Sequence, residues 1–269
     1  MTMDIRATFG FHATPFTREI DTAEQLHLTQ FEQALGGLRQ AIEKRMSAAL
    51  IAPAGSGKTA LLRRLTEELP EARYQVSYIK VTALSKRDLC REIAAALGLA
   101  PAGTYPMLVR RLQEHFEQVR TEGALCPVLI VDESHDLRPE VLAMLGVLTN
   151  FQMDSSLVLS LVLAGQSALR TLLQRDSHEA IARRIVHYAT LRSLSQGETR
   201  QYLEHRTTIA GAVTFPFDEQ ASEAIYEISR GNLRTVDNLA LAALEAAARA
   251  EVKAVGAQHV IDARRHLWP

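Results

Sequence analysis

The sequence predicts an α/β fold, a parallel sheet flanked by helices, followed by a small all-helical domain. Three observations lead there. A glycine-rich turn, Ala52-Pro53-Ala54-Gly55-Ser56-Gly57-Lys58-Thr59, stands between an apolar run at 48–51 and a helix-spaced run at 60–65. Strand, turn and helix in that order make a βα unit. Runs 128–131 and 157–163 are largely apolar without alternation, and helix-spaced segments separate them from the first. Strands of that kind are buried on both faces of a parallel sheet. After Leu194 the β signal stops, and four helix-spaced segments complete the 269 residues.

The elements follow in order. Residues 1–25 carry few helix signals; Phe9-Gly10-Phe11 and Pro15-Phe16 suggest an extended arm that packs its aromatics onto the body. Residues 26–45 form an amphipathic helix with Phe31, Leu35, Leu38 and Ile42 on one face. Residues 74–81 give a second strand, 86–97 a helix stopped by Gly98, and 106–119 another helix. Helices follow at 198–209, 218–229, 235–251 and 257–267. Ser195 is a candidate N-cap, with Glu198 completing a capping box. The expected division is an arm at 1–25, an α/β domain at 26–194 and a helical domain at 195–269.

Composition narrows the function classes. A hydrophobic share of 47% suits a sizeable core. No apolar run approaches the roughly 20 residues that span a bilayer, and Met1-Thr2-Met3-Asp4-Ile5-Arg6 lacks a signal-peptide core. Cys90 and Cys126 are far apart and make no ligand pattern, so reduced thiols in a cytoplasmic protein are expected. The nine histidines show no metal spacing. A net charge of −1 means that any nucleic-acid binding must come from a local basic face.

The chemistry starts at the glycine-rich turn. Its backbone N–H groups and the following helix N-terminus suit phosphates, so Pro53, Ala54, Gly55, Ser56, Gly57, Lys58, Thr59 and Ala60 are the candidate triphosphate-binding residues. Lys58 reaches the β and γ phosphates, and the Thr59 hydroxyl ligates Mg²⁺. One departure from the usual pattern is Ala52, where a glycine is common. Val128-Leu129-Ile130-Val131-Asp132-Glu133 then sets two carboxylates at a strand end. Asp132 would hold Mg²⁺, and Glu133 would orient and polarise the attacking water. His135 follows and could join the site, although the sequence names no partner for it; an incidental loop histidine is the alternative. Gln166, after the apolar run that ends at Gly165, is either a sensor of the γ-phosphate or the polar end of a plain turn. Either Arg183 or Arg184 could meet the γ-phosphate of a neighbouring subunit, the other making a structural salt bridge. Arg234, at a helix start after Gly231-Asn232-Leu233, could swing over the nucleotide.

These elements, in this order, resemble the AAA+ ATPases, whose lid domain is similar to the helical tail. The stretches Phe9-Gly10-Phe11, Leu161-Val162-Leu163-Ala164-Gly165-Gln166 and Leu194-Ser195-Gln196-Gly197-Glu198-Thr199 resemble the ExeA-like branch, which includes ATP-binding partners of bacterial transposases of the TnsC, TniB and IstB kind. The resemblance implies Walker A roles for Lys58 and Thr59, Walker B roles for Asp132 and Glu133, sensor 1 at or near Gln166, an arginine finger at Arg183 or Arg184, and sensor 2 at Arg234. It implies ATP and Mg²⁺ as cofactors and ATP hydrolysis as the activity. It also implies a homo-oligomer, a ring or a helical filament hexameric per turn, formed on double-stranded DNA and engaging a transposase and a target selector. Lys86, Arg87, Arg110 and Arg111 are the candidate DNA-facing residues; a solvated helix face is the alternative for each. A helicase loader or replication initiator is a second reading. Secretion ATPases of the ExeA kind carry a membrane segment and a cell-wall-binding extension, so a chain of this length is expected to belong with transposition. Trp268, the only tryptophan, is either an anchor near the chain end or packed on the lid.

Overall fold

The computed structural model describes residues 4–267. Trp268 lies outside them. In chain order the elements are α1 (Ile5–Phe9), α2 (Thr29–Glu43), β1 (Ser47–Ile51), α3 (Lys58–Glu68), β2 (Tyr74–Lys80), α4 (Lys86–Ala96), α5 (Tyr105–Thr121), β3 (Cys126–Asp132), α6 (Pro139–Leu148), β4 (Ser160–Gly165), α7 (Ser167–Leu173), α8 (Glu179–Ala182), β5 (Ile185–Thr190), α9 (Gln196–Ile209), α10 (Glu219–Ser229), α11 (Leu233–Arg249) and α12 (Ala257–Leu267). They fall into two compact units. A sheet unit spans Thr29–Ala54 and Lys58–Leu191. A helical unit holds the described residues up to Leu28, Gly55–Gly57, and the described residues from Arg192 on.

The sheet unit is built on five parallel strands in the order β2-β3-β4-β1-β5. Side chains alternate across a strand, so each central strand feeds two cores. Val128 and Ile130 join Leu35, Leu38, Ile42, Leu61, Leu62 and Leu65 of α2 and α3 on one face. Leu129 and Val131 join Leu89, Ile93, Leu108, Leu112 and Phe116 of α4 and α5 on the other. Every residue of β1, β3 and β4 is buried. That is why these strands lack alternation and were legible as parallel. Both cysteines are free and buried; burial pushes the Cys90 thiol up to about 11.

Three expectations need correction. The strand expected at 157–163 runs over Ser160–Gly165, because Leu157 to Leu159 lead into the sheet before its ladder starts at the Val128–Ser160 pair. Strand β5 was not foreseen: it lies at the sheet edge, where Ile185 and Ala189 are buried but Val186 and Tyr188 stay exposed, so its polar residues broke the apolar signal. Residues 5–9 are helical rather than extended. Asp4 caps them by accepting the Arg6 N–H at 3.0 Å, and Gly10, at φ 76°, ends the turn.

In the helical unit, Phe11 and Phe16 are buried in one cluster with Leu203, Phe217, Ile225, Val236, Leu239 and Val260. Phe16 meets Phe217 edge-on at 6.0 Å. Ser195 caps α9 in a full capping box with Glu198, as the spacing predicts. Gly231, at φ 71°, passes so close to the Leu194 carbonyl that a β-carbon would collide with it.

Candidate functional site

The carboxyl ends of β1, β3 and β4 carry the polar residues. In a parallel sheet that end collects strand-to-helix turns, and it is where ligands of open α/β sheets bind. Ala52 follows β1; its N–H donates to the Gly165 carbonyl at 3.0 Å, and it is fully buried. Ala52 has no positive φ, so its backbone does not require the glycine common at that place. Gly55 and Gly57 do require it, at φ 72° and 91°.

Lys58 opens α3 and is buried. Its ammonium lies 3.2 Å from Asp132 Oδ1 and 3.0 Å from Glu133 Oε2. Asp132, with no exposed surface, is engaged on both oxygens. The Glu133 N–H donates to Oδ1 at 2.8 Å, the Tyr78 hydroxyl donates to Oδ2 at 3.0 Å, and the Thr59 hydroxyl stands 3.4 Å from Oδ2. Burial first, and then the Asp132 charge, drives the Tyr78 phenol well above its ordinary range, which keeps it a donor. Glu133 takes a left-handed backbone at φ 56°, a sparsely populated conformation for a side-chain-bearing residue. The turn after it, Ser134–Asp136, carries His135. That ring stands 3.5 Å from Glu133 Oε2 through Nδ1 and 2.8 Å from the Gln166 amide nitrogen through Nε2.

The structure thus brings Lys58, Thr59, Asp132, Glu133 and Gln166 to one strand-end cluster together with His135, which the sequence left open, and adds Tyr78, which sequence reasoning did not place there. Tyr78 left no signal, because its strand position alone does not aim a hydroxyl. His135 had one available signal, its place two residues past Glu133 in a turn that must return toward the sheet.

The donor set suits a phosphate chain with a divalent cation. One lysine faces two carboxylates, which leaves surplus negative charge, and the oxygen ligands Thr59 and Asp132 are of the hard kind that Mg²⁺ takes. Among the described residues no group of three His, Cys, Asp or Glu forms a self-contained metal site, so the cation needs ligand oxygens as well.

In the helical unit, the Arg234 N–H donates to the Gly55 carbonyl at 3.1 Å. A β-carbon on Gly55 would lie 2.5 Å from Asn232 Oδ1 and 3.1 Å from Arg234 Cβ. Arg234 itself is exposed, at the first turn of α11 behind the Asn232 cap. The two expected finger arginines differ. Arg184 donates to the Thr149 carbonyl at 3.2 Å at the end of α6. Arg183 is 77% exposed and pairs with Glu179, itself exposed, at 2.5 Å. Of the basic candidates, Lys86 and Arg87 sit in the first turn of α4. Arg110 pairs with Glu114 at 2.7 Å, and Arg111 donates to the Ala100 and Ala102 carbonyls at 2.6 and 3.0 Å. Arg111 therefore ties down a loop, which its sequence context did not suggest.

Residues 40–173 match the family model described as AAA domain. The chain is 31% identical over 196 residues to General secretion pathway protein A of Aeromonas hydrophila, an alignment that takes in 72% of this chain and 35% of that protein. It therefore spans about a third of the length of the curated relative it matches. Among solved structures it is similar to Cdc6p from Pyrobaculum aerophilum, with a TM-score of 0.72, 18% identity, and 93% of this chain and 70% of that chain covered. The Aeropyrum pernix ORC1 protein in complex with DNA gives 0.71, 21%, 94% and 68%, and the Thermotoga maritima RuvB Holliday junction branch migration motor 0.60, 18%, 90% and 70%. The fold is thus the AAA+ P-loop fold, a five-stranded parallel sheet flanked by helices with C-terminal helices after it. Among the described residues no helix is long and apolar enough to cross a membrane.

Proposed function

We propose that this protein is an ATP-hydrolysing switch that assembles on duplex DNA and engages a transposase, with hydrolysis timing disassembly. The observation that carries the hydrolytic part is the meeting of Lys58 with Asp132 and Glu133, at 3.2 and 3.0 Å, at the carboxyl end of the sheet. Lys58 binds the phosphate chain, and Gly55 to Gly57 present backbone N–H groups to it. Thr59 and Asp132 hold the cation. Bound Mg²⁺ neutralises phosphate charge as it develops. Glu133 orients the attacking water and takes up its proton, and the held position of Asp132 keeps the two carboxylates in separate roles. Gln166 faces the reacting phosphate from the end of β4. Arg183, exposed and carried by a short helix, is the finger that reaches a neighbouring subunit; Arg184, committed to the Thr149 carbonyl, braces that helix. Arg234, whose N–H donates to the Gly55 carbonyl, is the candidate sensor beside the glycine turn.

The DNA and transposase parts rest on the motif resemblance and on the fold shared with DNA-bound initiators. The test is electron microscopy at micromolar protein with duplex DNA and a non-hydrolysable ATP analogue. Rings or filaments that require both are expected, and monomers would sink the assembly reading. The identity to a secretion-pathway protein favours a second reading, a secretion-associated ATPase. That reading expects oligomers that form with nucleotide regardless of DNA.

A further inference from the structure

We infer that His135 is a positioning residue that couples Gln166 to the carboxylate of Glu133 and so sets the direction of the general base. The inference rests on the hydrolytic reading above. His135 has a side chain only 12% exposed, with Nε2 2.8 Å from the Gln166 amide nitrogen and Nδ1 3.5 Å from Glu133 Oε2. An amide nitrogen can only donate. Nε2 then accepts, and the ring proton sits on Nδ1, which is buried without a hydrogen bond and has Glu133 Oε2 3.5 Å away. That tautomer places its proton on the Glu133 side, where the buried Nδ1 lacks another acceptor, and the other would set two donors face to face. Asp136 Oδ1 also lies 3.7 Å from Nε2, but it cannot be served by the same tautomer, and its side chain is 56% exposed.

The backbone holds this chain of contacts in place. Gly165 lets the turn approach β4, since a β-carbon there would lie 3.1 Å from the His135 backbone nitrogen. The Ser134 hydroxyl donates to the Val131 carbonyl at 2.6 Å and fixes the turn from inside. Glu133, on a left-handed backbone, has its other contact in Lys58, which a phosphate chain would draw away. His135 is then the contact that remains. A group on Gln166, sensing the phosphate, is thereby linked to the base that activates water.

Two measurements test this together. Ring ¹⁵N NMR of the full chain at neutral or higher pH is expected to show His135 with its proton on Nδ1, and Gln166→Ala is expected to shift its Nε2 signal. In steady-state turnover, His135→Ala is expected to lower kcat by about 10-fold, in line with other supporting contacts to a reactive group. KM and the affinity for a fluorescent ATP analogue should stay unchanged. His135→Asn, which keeps a donor at the Nδ1 position, should recover most of the loss, and His135→Gln should not. The double variant His135→Ala/Gln166→Ala should fall no further than the worse single variant. A proton on Nε2, or losses that multiply, would overturn the inference. A wild type that binds ATP without turnover refutes the hydrolytic reading instead, and the tautomer still decides the hydrogen-bond chain.

Discussion

The two units each bury a cation beside carboxylate, and they do so to opposite ends. In the helical unit Arg206, 4% exposed, donates to the Tyr202 hydroxyl at 2.8 Å and to the Thr17 carbonyl at 2.7 Å. It also lies over the rings of Phe16 and Tyr202 at 5.7 and 5.6 Å. Tyr202 passes the contact on to Asp237 at 2.7 Å. Its partners come from distant segments and are mostly neutral, so the guanidinium staples the N-terminal segment to α9 and α11. Burial holds the Asp237 carboxyl up to about 6 even though Arg206 opposes the shift. In the sheet unit, Lys58 faces two carboxylates on consecutive residues, one of them on a strained backbone. A buried cation with neutral, dispersed partners is a structural device. A buried cation outnumbered by carboxylates at a sheet edge is a place for chemistry.

Variants can break or sharpen that contrast. The largest effect is expected from Lys58→Ala: ATP binding or its consequences disappear, as analogue titration would show. Arg183→Ala should lower turnover on the order of 10³-fold with nucleotide affinity kept, because a finger acts across subunits. Arg184→Ala should cost stability more than turnover. Equal turnover losses would contradict the assignment of the finger to Arg183. Arg206→Met should leave Asp237 without its cation and lower stability by about 3–5 kcal/mol, with ATP turnover per folded molecule unchanged. The smallest effect is at the α9 cap. The Arg192 ion pair, together with Ser195, draws the Glu198 carboxyl from its ordinary 4.5 down to about 2. A depressed carboxyl stabilises above its ordinary value and loses that contribution as pH falls through the folded value. Glu198→Gln should therefore cost about 1 kcal/mol near neutrality. Its difference from wild type should fade between pH 4.5 and 2 in urea titrations.

Much of this was legible in the chain, and the rest was not for physical reasons. The central strands announced themselves because they are buried on both faces, and the Ser195–Glu198 cap because it uses a local spacing. Lys58, Asp132 and Glu133 could be placed in one site because each sits at a strand or helix end that the parallel topology forces to one edge. Strand β5 was hidden because an edge strand keeps half its residues wet. The contacts of Tyr78, His135 and the Arg206 staple were hidden for a different reason: their partners are 54, 31 and 189 residues away, and no local spacing encodes a contact of that reach. Arg183 and Arg184 differ in side-chain direction, which two adjacent arginines in sequence do not give.

Phosphate release by wild type and Glu133→Gln tests most directly whether the Lys58–Asp132–Glu133 cluster hydrolyses ATP. With Mg²⁺ and duplex DNA the wild type should release phosphate, and the variant should fall on the order of 10²-fold or more while still binding ATP. Equal phosphate release from the two proteins would contradict hydrolysis by this cluster.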